Sequence, residues 1–216
     1  LHALRMSPPD PLTVTDGDGS VARCVIDRIQ DGRVLARILE RYRRRKPEPA
    51  VVVYQAAPKK SKLDDVTERL AELGAAELRV FESSRTVVRW QPERRQKLAR
   101  RWGEIARAAA KQSRNPFVME TGPPMSWTEL IDHVGREPFV ATLWEQGSVS
   151  LRSALPERAP RIAVVVGPEG GLAVEEAGAL AAAGAPSVSL GSRIFRTELS
   201  PVVAVCSVLF HYGLIG

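Results

Sequence analysis

Residues 164–205 read VVVGPEGGLAVEEAGALAAAGAPSVSLGSRIFRTELSPVVAV. The apolar run Ala163-Val164-Val165-Val166 has strand length and suits burial on both faces of a parallel sheet. Gly167-Pro168-Glu169-Gly170-Gly171 follows at once, where glycine permits a sharp turn and close backbone approach to a ligand. A helix is expected over about residues 174–183 and a strand over 187–190. A last helix is expected over 201–212, with Ser200 as cap and Pro201 in its first turn. That helix is apolar nearly all round, which predicts burial, including between subunits. Before it stands Leu190-Gly191-Ser192-Arg193-Ile194-Phe195-Arg196-Thr197-Glu198. Two arginines, a threonine and a glutamate are poor choices for plain packing at a strand end. A helix N-terminus flanked by arginine suits an anionic group. A solvated turn with a surface Arg–Glu pair is the plainer alternative.

Upstream, the same rhythm of strand and helix extends back to Ala50. Strands are expected at residues 51–56, 77–81, 139–144 and 161–166. Helices are expected near 61–73, at 92–111 and at 126–134. Ser61 and Asp64 fit a capping box, Leu63, Val66, Leu70 and Leu73 form one face, and Gly74 suits the stop. Leu98, Trp102, Ile105 and Ala109 form the buried stripe of the second helix, and Ser126 with Glu129 opens the third. Alternation of this kind argues for a mostly parallel α/β sheet, whose ligands bind outside the carboxyl ends of the strands. A third loop belongs there too: Thr142-Leu143-Trp144-Glu145-Gln146-Gly147, which by itself says little.

Residues 12–15, 21–29 and 33–40 read instead as short β-strands, separated by Asp16-Gly17, Asp18-Gly19 and Asp31-Gly32, which suit tight hairpin turns. A basic linker is expected from Arg41 through Arg43, Arg44, Arg45 and Lys46 to Pro49. The expected domains are 1–46 and 47–216. The chain begins at Leu1 rather than Met, which predicts a few native residues ahead of it.

The 216 residues are 44% hydrophobic, enough for a real core. No signal-peptide pattern and no long apolar span appear, which predicts a cytoplasmic protein. Cys24 and Cys206 are expected as two buried free thiols, and His2, His133 and His211 show no metal spacing, so no metal is expected. Lysine and arginine total 31 against 25 acids, a formal charge of +6. That balance favours a polyanionic partner, and clustering matters more than the sum. The glycine-rich turn is neither a Walker loop, lacking Gly-Lys-Ser/Thr, nor a dinucleotide fingerprint, lacking GxGxxG spacing.

The pair GPEGG (167–171) and LGSRIFRTE (190–198), at this spacing, resembles the C-terminal signature of the RsmE family in the SPOUT class. VVYQAAPKKSKLDDVTERLAELGAAELRVFESSRTVVRW and RRWGEIARAAAKQSRNP are similar to that family's middle. HALRM and the hairpin-rich start resemble its small PUA-like RNA-binding domain. The resemblance thus covers nearly the whole chain. It implies an α/β fold with a mostly parallel sheet and a C-terminal trefoil knot, preceded by a small PUA-like β-barrel. It implies a homodimer acting on 16S ribosomal RNA of the small subunit, methylating N3 of a uridine with S-adenosyl-L-methionine. The cofactor would be held by Leu143, Gly167, Glu169, Gly170, Gly171, Leu190, Gly191, Ile194, Arg196 and Thr197, in part through backbone groups.

Uridine N3 carries a proton, so the site needs electrostatic help and an acceptor. Arg196 is the first choice for the former and Arg193 the second. Glu198 or Glu169 can accept the proton. Within the family's Gln-Ser-Arg neighbourhood, Gln112 and Arg114 are implied RNA contacts. Arg107 and Lys111 join them on a helix that also carries Arg94, Arg95, Lys97, Arg100 and Arg101. Arg43, Arg44, Arg45, Lys59, Lys60 and Lys62 would extend a phosphate path. The family's RTET is here Arg196-Thr197-Glu198-Leu199, Phe195 stands for a common leucine, and the stretch from Met6 to Pro11 is shorter than usual. Two other readings stay open: a SPOUT methyltransferase acting on another position or a 2′-hydroxyl, and a non-catalytic RNA-binding protein of the same fold. A phosphate-binding nucleotide enzyme is disfavoured by the missing lysine.

Overall fold

A computed structural model of the chain describes residues 6–58, 62–86 and 89–216. The expectations placed on residues 2–5, Lys59, Lys60 and Ser61 lie outside the described residues. The chain divides into two compact units, Leu1–Lys46 and Pro47–Gly216.

The first unit holds β1 (Pro11–Thr15), β2 (Ser20–Gln30) and β3 (Arg33–Arg43), paired antiparallel in that order. Asp31 and Gly32 both take positive φ, 51° and 70°, which is the backbone a tight two-residue hairpin needs. β3 runs three residues further than expected. Arg41, Tyr42 and Arg43 are not linker but pair with Ala22, Val21 and Ser20. A ladder is built by backbone groups, so a row of exposed arginines on an edge strand does not end it. Arg43 also reaches Asp18 at 2.8 Å.

The second unit is a seven-stranded sheet. Its strands are β4 (Ala50–Ala56), β5 (Glu77–Phe81), β6 (Glu120–Thr121), β7 (Val140–Leu143), β8 (Val149–Ser150), β9 (Arg161–Val166) and β10 (Ser187–Ser189). The order is β6-β5-β4-β9-β7-β10-β8 and every neighbouring pair is parallel. Among the described residues six helices cover it: α1 (Lys62–Leu73), α2 (Pro92–Ser113), α3 (Trp127–Val134), α4 (Leu151–Ala154), α5 (Val174–Ala182) and α6 (Ser200–His211). Strand side chains alternate between two cores. Val51, Val53, Ile162 and Val164 pack with Leu70, Trp102 and Val205 from α1, α2 and α6. Val52, Tyr54, Ala163 and Val165 pack with Leu130 and Leu180 from α3 and α5. This period of two, with both faces covered, is why these strands read as unbroken apolar runs.

Some helix boundaries follow local chemistry and others do not. Ser126 and Glu129 form the expected capping box of α3. α2 continues to Ser113 and ends where Arg114 turns left-handed at φ 56°, so Gln112 is helical rather than in a loop. Its buried residues are Trp102, Ala106, Ala109 and Ala110, while Leu98 and Ile105 are partly buried. Ser200 does not cap α6. It lies inside the helix, and its hydroxyl donates to the carbonyl of Arg196 at 3.2 Å. α6 buries one face, Pro201, Ala204, Val205, Val208 and Leu209, and leaves Phe210 71% exposed. Cys24 is buried as expected, but Cys206 on α6 is only half-buried. Among the described residues no helix is long and apolar enough to cross a membrane.

The start of the sheet carries an ion-pair network. Glu77 pairs with Arg79 and Arg161, and Arg161 also reaches Glu137 at 2.8 Å. Tyr54 donates to Glu137 at 2.7 Å. Burial pushes the Glu77 carboxyl up, but the hydrogen bond from Arg161 and the charge of Arg79 outweigh it, so Glu77 lies below the usual carboxylate range. A depressed carboxylate stabilises the fold above its unfolded value, about 4.3, and that stabilisation is lost as pH falls through the folded value. Glu77→Gln is expected to lower unfolding free energy by about 1–2 kcal/mol at pH 7. Urea melts at stepwise lower pH should show the gap to the parent closing as pH falls below the usual carboxylate range. A gap that stays constant would reduce Glu77 to a neutral acceptor.

Candidate functional site

The carboxyl ends of β7, β9 and β10 open onto one cleft of about 870 Å³. A parallel sheet aims these ends to one edge, so the loops that follow them meet there. All ten residues expected to hold a cofactor line this cleft: Leu143, Gly167, Glu169, Gly170, Gly171, Leu190, Gly191, Ile194, Arg196 and Thr197. Arg193 and Glu198 line it as well. Gly171 and Gly191 take φ of 68° and 108°, conformations that side-chain-bearing residues rarely adopt. The loop after β7 runs hard against β10: a Cβ on Gly147 would stand 2.7 Å from the carbonyl carbon of Val188.

One hydroxyl ties the site together. Thr197, buried, donates to the Gly167 carbonyl at 2.7 Å and accepts from the Gln55 amide at 3.0 Å. Gln55 lies on β4 with no exposed surface, and its carbonyl oxygen has no partner among the described residues. Beside this tie, Lys62, at the start of α1, reaches Glu198 at 3.1 Å and Glu169 at 3.4 Å. Lys62 is therefore engaged by two carboxylates in the cleft, contrary to its expected place on a phosphate path. The Glu198 carboxyl is held below its usual range, by a hydrogen bond from its own backbone amide first and then by Lys62 against the cost of burial. Arg193 and Arg196 are exposed and make no ion pair among the described residues. Ile194 is 87% exposed.

A second wall stands behind the turn after β9. Arg85 donates to the Gly170 carbonyl at 2.7 Å. Buried Glu176 accepts from the amides of Ser84 at 2.6 Å and Ala173 at 2.9 Å. Sequence reasoning did not assign Gln55, Arg85 or Glu176 to the site. A signal existed for Gln55, an amide inside the apolar run Val51–Ala57; the Gly170 partner of Arg85 and the Ser84 partner of Glu176 are remote in sequence.

The expected RNA contacts Arg107, Lys111, Gln112 and Arg114 are all exposed on α2 and its C-cap, and none lines the cleft. Two of the cations on this helix are already paired. Arg101 grips Asp64 through Nε at 3.0 and 3.1 Å, and Arg95 reaches Glu82 at 3.1 Å. Arg94, Lys97, Arg100, Arg107 and Lys111 are exposed and make no ion pair among the described residues.

Residues 45–209 match the family model of the RNA methyltransferase domain. The chain is 34% identical over 208 residues to ribosomal RNA small subunit methyltransferase E of Mycobacterium tuberculosis, spanning 94% of this chain and 79% of that protein. It superposes on the crystal structure of ribosomal RNA small subunit methyltransferase E from Neisseria gonorrhoeae bound to S-adenosyl methionine. The TM-score is 0.86 at 25% identity, covering 97% of this chain and 86% of that one. The structure of a Legionella pneumophila protein in complex with the bound cofactor SAM is as similar, TM-score 0.86 at 26% identity, covering 96% and 86%. By the extent of these matches and the motifs that line its cleft, the chain belongs to the RNA methyltransferase domain family, alongside ribosomal RNA small subunit methyltransferase E.

Proposed function

We propose that this protein transfers a methyl group from S-adenosylmethionine to N3 of a uridine in the 16S RNA of the small ribosomal subunit. The observation that carries the reading is the convergence of GPEGG and LGSRIFRTE on one cleft, in a chain similar to ribosomal RNA small subunit methyltransferase E. The cleft fits the cofactor. Its volume is in the range of small-molecule sites, glycines offer bare backbone, Leu143, Leu190 and Ile194 offer apolar surface, and Glu169 and Arg196 offer charge. When bound, S-adenosylmethionine supplies a methyl group on a cationic sulfur.

The protein's task is then positioning and charge. Glu198, held ionised, accepts the N3 proton. Arg196 stabilises the negative charge left on the uracil ring, with Arg193 behind it. The freed nitrogen lone pair forms the new N–C bond, while the electrons of the broken C–S bond stay on sulfur.

The rest of the resemblance belongs to the same proposal. A trefoil knot is supported by Thr197, which lies beyond β10 yet bonds to β4 and to the end of β9. A homodimer is supported by the apolar stripe Leu199, Val203, Cys206 and Phe210, which is half-buried or exposed within the chain. The antiparallel strands of the first unit fit part of a PUA-like RNA-binding barrel, and a ribosomal substrate supports a cytoplasmic location. Arg107, Lys111, Gln112 and Arg114 would meet RNA along α2. Arg107→Gln and Lys111→Gln are each expected to weaken subunit binding a few-fold and lower the salt slope of log K by about 1. Filter binding across a salt series measures this; unchanged slopes would remove α2 from the RNA path.

The decisive experiment incubates the protein with labelled S-adenosylmethionine and small subunits lacking the modification, then maps the methyl by mass spectrometry. A single N3-methyluridine in 16S RNA is expected. Methyl on another atom would keep the class and discard the position. Absence of both transfer and cofactor binding by calorimetry would leave an RNA-binding protein.

A further inference from the structure

Three elements remote in sequence meet at a single ammonium group. Lys62 opens α1, which is anchored by the buried Leu63, Val66 and Leu70. Its Nζ stands 3.1 Å from Glu198, in the loop before α6, and 3.4 Å from Glu169, in the turn after β9. The three side chains are each about a third exposed, so the cluster is neither dry nor freely solvated. Without a cation between them, two carboxylates aimed at one point would repel and push their loops apart. Lys62 lines the cleft together with both acids.

We propose that Lys62 is a positioning residue whose ammonium latches the two ligand-binding loops to each other and to α1, and so sets the grip of the cleft on S-adenosylmethionine. This rests on the reading that the cleft takes that methyl donor. It assigns Lys62 a different duty from the phosphate-binding cations of α2. The latch also fixes where the Glu198 carboxylate points. Among the described residues, the charged groups that line the same cleft are Lys62 from α1, Glu169 from the turn after β9, Glu145 from the loop after β7, and Arg193 and Arg196 from the loop of Glu198 itself. The hydrogen bond to Glu198 raises the Lys62 ammonium above its ordinary value, and Lys62 in turn helps lower Glu198. Removing the lysine should therefore let the Glu198 carboxyl rise toward its usual range and move the acid limb of activity to higher pH.

The test compares the full-length protein with Lys62→Met and Lys62→Arg. Calorimetric titration with S-adenosylmethionine should show binding about fivefold weaker in Lys62→Met, the scale of partly exposed ion pairs. Lys62→Arg should recover most of it. Because such pairs are screened, raising salt should narrow the difference between parent and Lys62→Met. The acid limb of methyl transfer against pH should shift upward in Lys62→Met and return in Lys62→Arg. Cofactor affinity and pH profile unchanged in Lys62→Met, with weaker and less salt-dependent subunit binding, would overturn the latch and restore Lys62 to a phosphate path. Equal losses in Lys62→Met and Lys62→Arg would also overturn it. A parent protein that binds no S-adenosylmethionine would instead refute the reading of the cleft itself.

Discussion

Arg196→Ala is expected to slow methyl transfer by about 10²–10³-fold, the usual loss when one preorganised charge opposite a developing anion is removed. The guanidinium is exposed in the cleft and has no ion pair among the described residues, so folding does not depend on it and its melting temperature should be unchanged. The resemblance implies that Arg196 holds the cofactor, its proposed role against the charge left on the uracil ring is a second duty, and the kinetics separate the two. Loss confined to the single-turnover rate, with cofactor affinity within a few-fold, assigns it to the uracil. Parallel loss of rate and affinity assigns it to the cofactor. Lysine should restore little, because a point charge does not reproduce the planar fork of donors. A fall of less than about tenfold would put the charge stabilisation elsewhere, with Arg193 the next residue in the same loop.

What the sequence made legible was local. Val164–Val166 before GPEGG, the Asp31-Gly32 hairpin and the Ser126–Glu129 box each state their structure within a few residues, and each appears in the fold. The ten residues expected to hold the cofactor share one cleft because parallel strands bring their carboxyl ends to one edge. Strands as short as β6 and β8 carry too little pattern to show a period. The extension of β3 was hidden because arginines read as a charged linker while their backbone pairs normally. Ser200 looked like a cap because residue type signals capping, but its hydroxyl back-bonds within the turn instead. The insertion of β9 between β4 and β7 left no mark in periodicity, and neither did the partners of Lys62. Such contacts depend on how distant segments cross, and composition along the chain does not record crossings.

The bond between Gln55 and Thr197 spans 142 residues and is the sharpest such crossing. Thr197→Val keeps the shape of the side chain and removes its hydroxyl. The Gly167 carbonyl then loses its donor, and a Gln55 amide hydrogen loses its acceptor in a place water does not reach. Each buried orphan costs about 1–3 kcal/mol, so a loss of about 2–4 kcal/mol in unfolding free energy is expected. Gln55 keeps a bond to the Ala56 carbonyl at 3.0 Å, which limits the damage on that side. Thr197→Ser retains the hydroxyl and should stay within about 1 kcal/mol of the parent, since only a methyl group is lost. The cofactor should feel the same change, because Thr197 fastens the loop after β10 to the turn after β9. Affinity for S-adenosylmethionine should drop by about tenfold or more if the loops lose a tether worth a single hydrogen bond. A double-mutant cycle settles whether the tie is direct. Gln55→Met removes the polar partner, and once both are apolar no orphan amide remains. Thr197→Val with Gln55→Met should therefore cost less than the two single losses added, by more than about 0.5 kcal/mol. Strict additivity would mean that the two side chains only share a neighbourhood. A shortfall would mean that a single buried hydroxyl joins β4, the end of β9 and the loop before α6, and holds the cleft in shape.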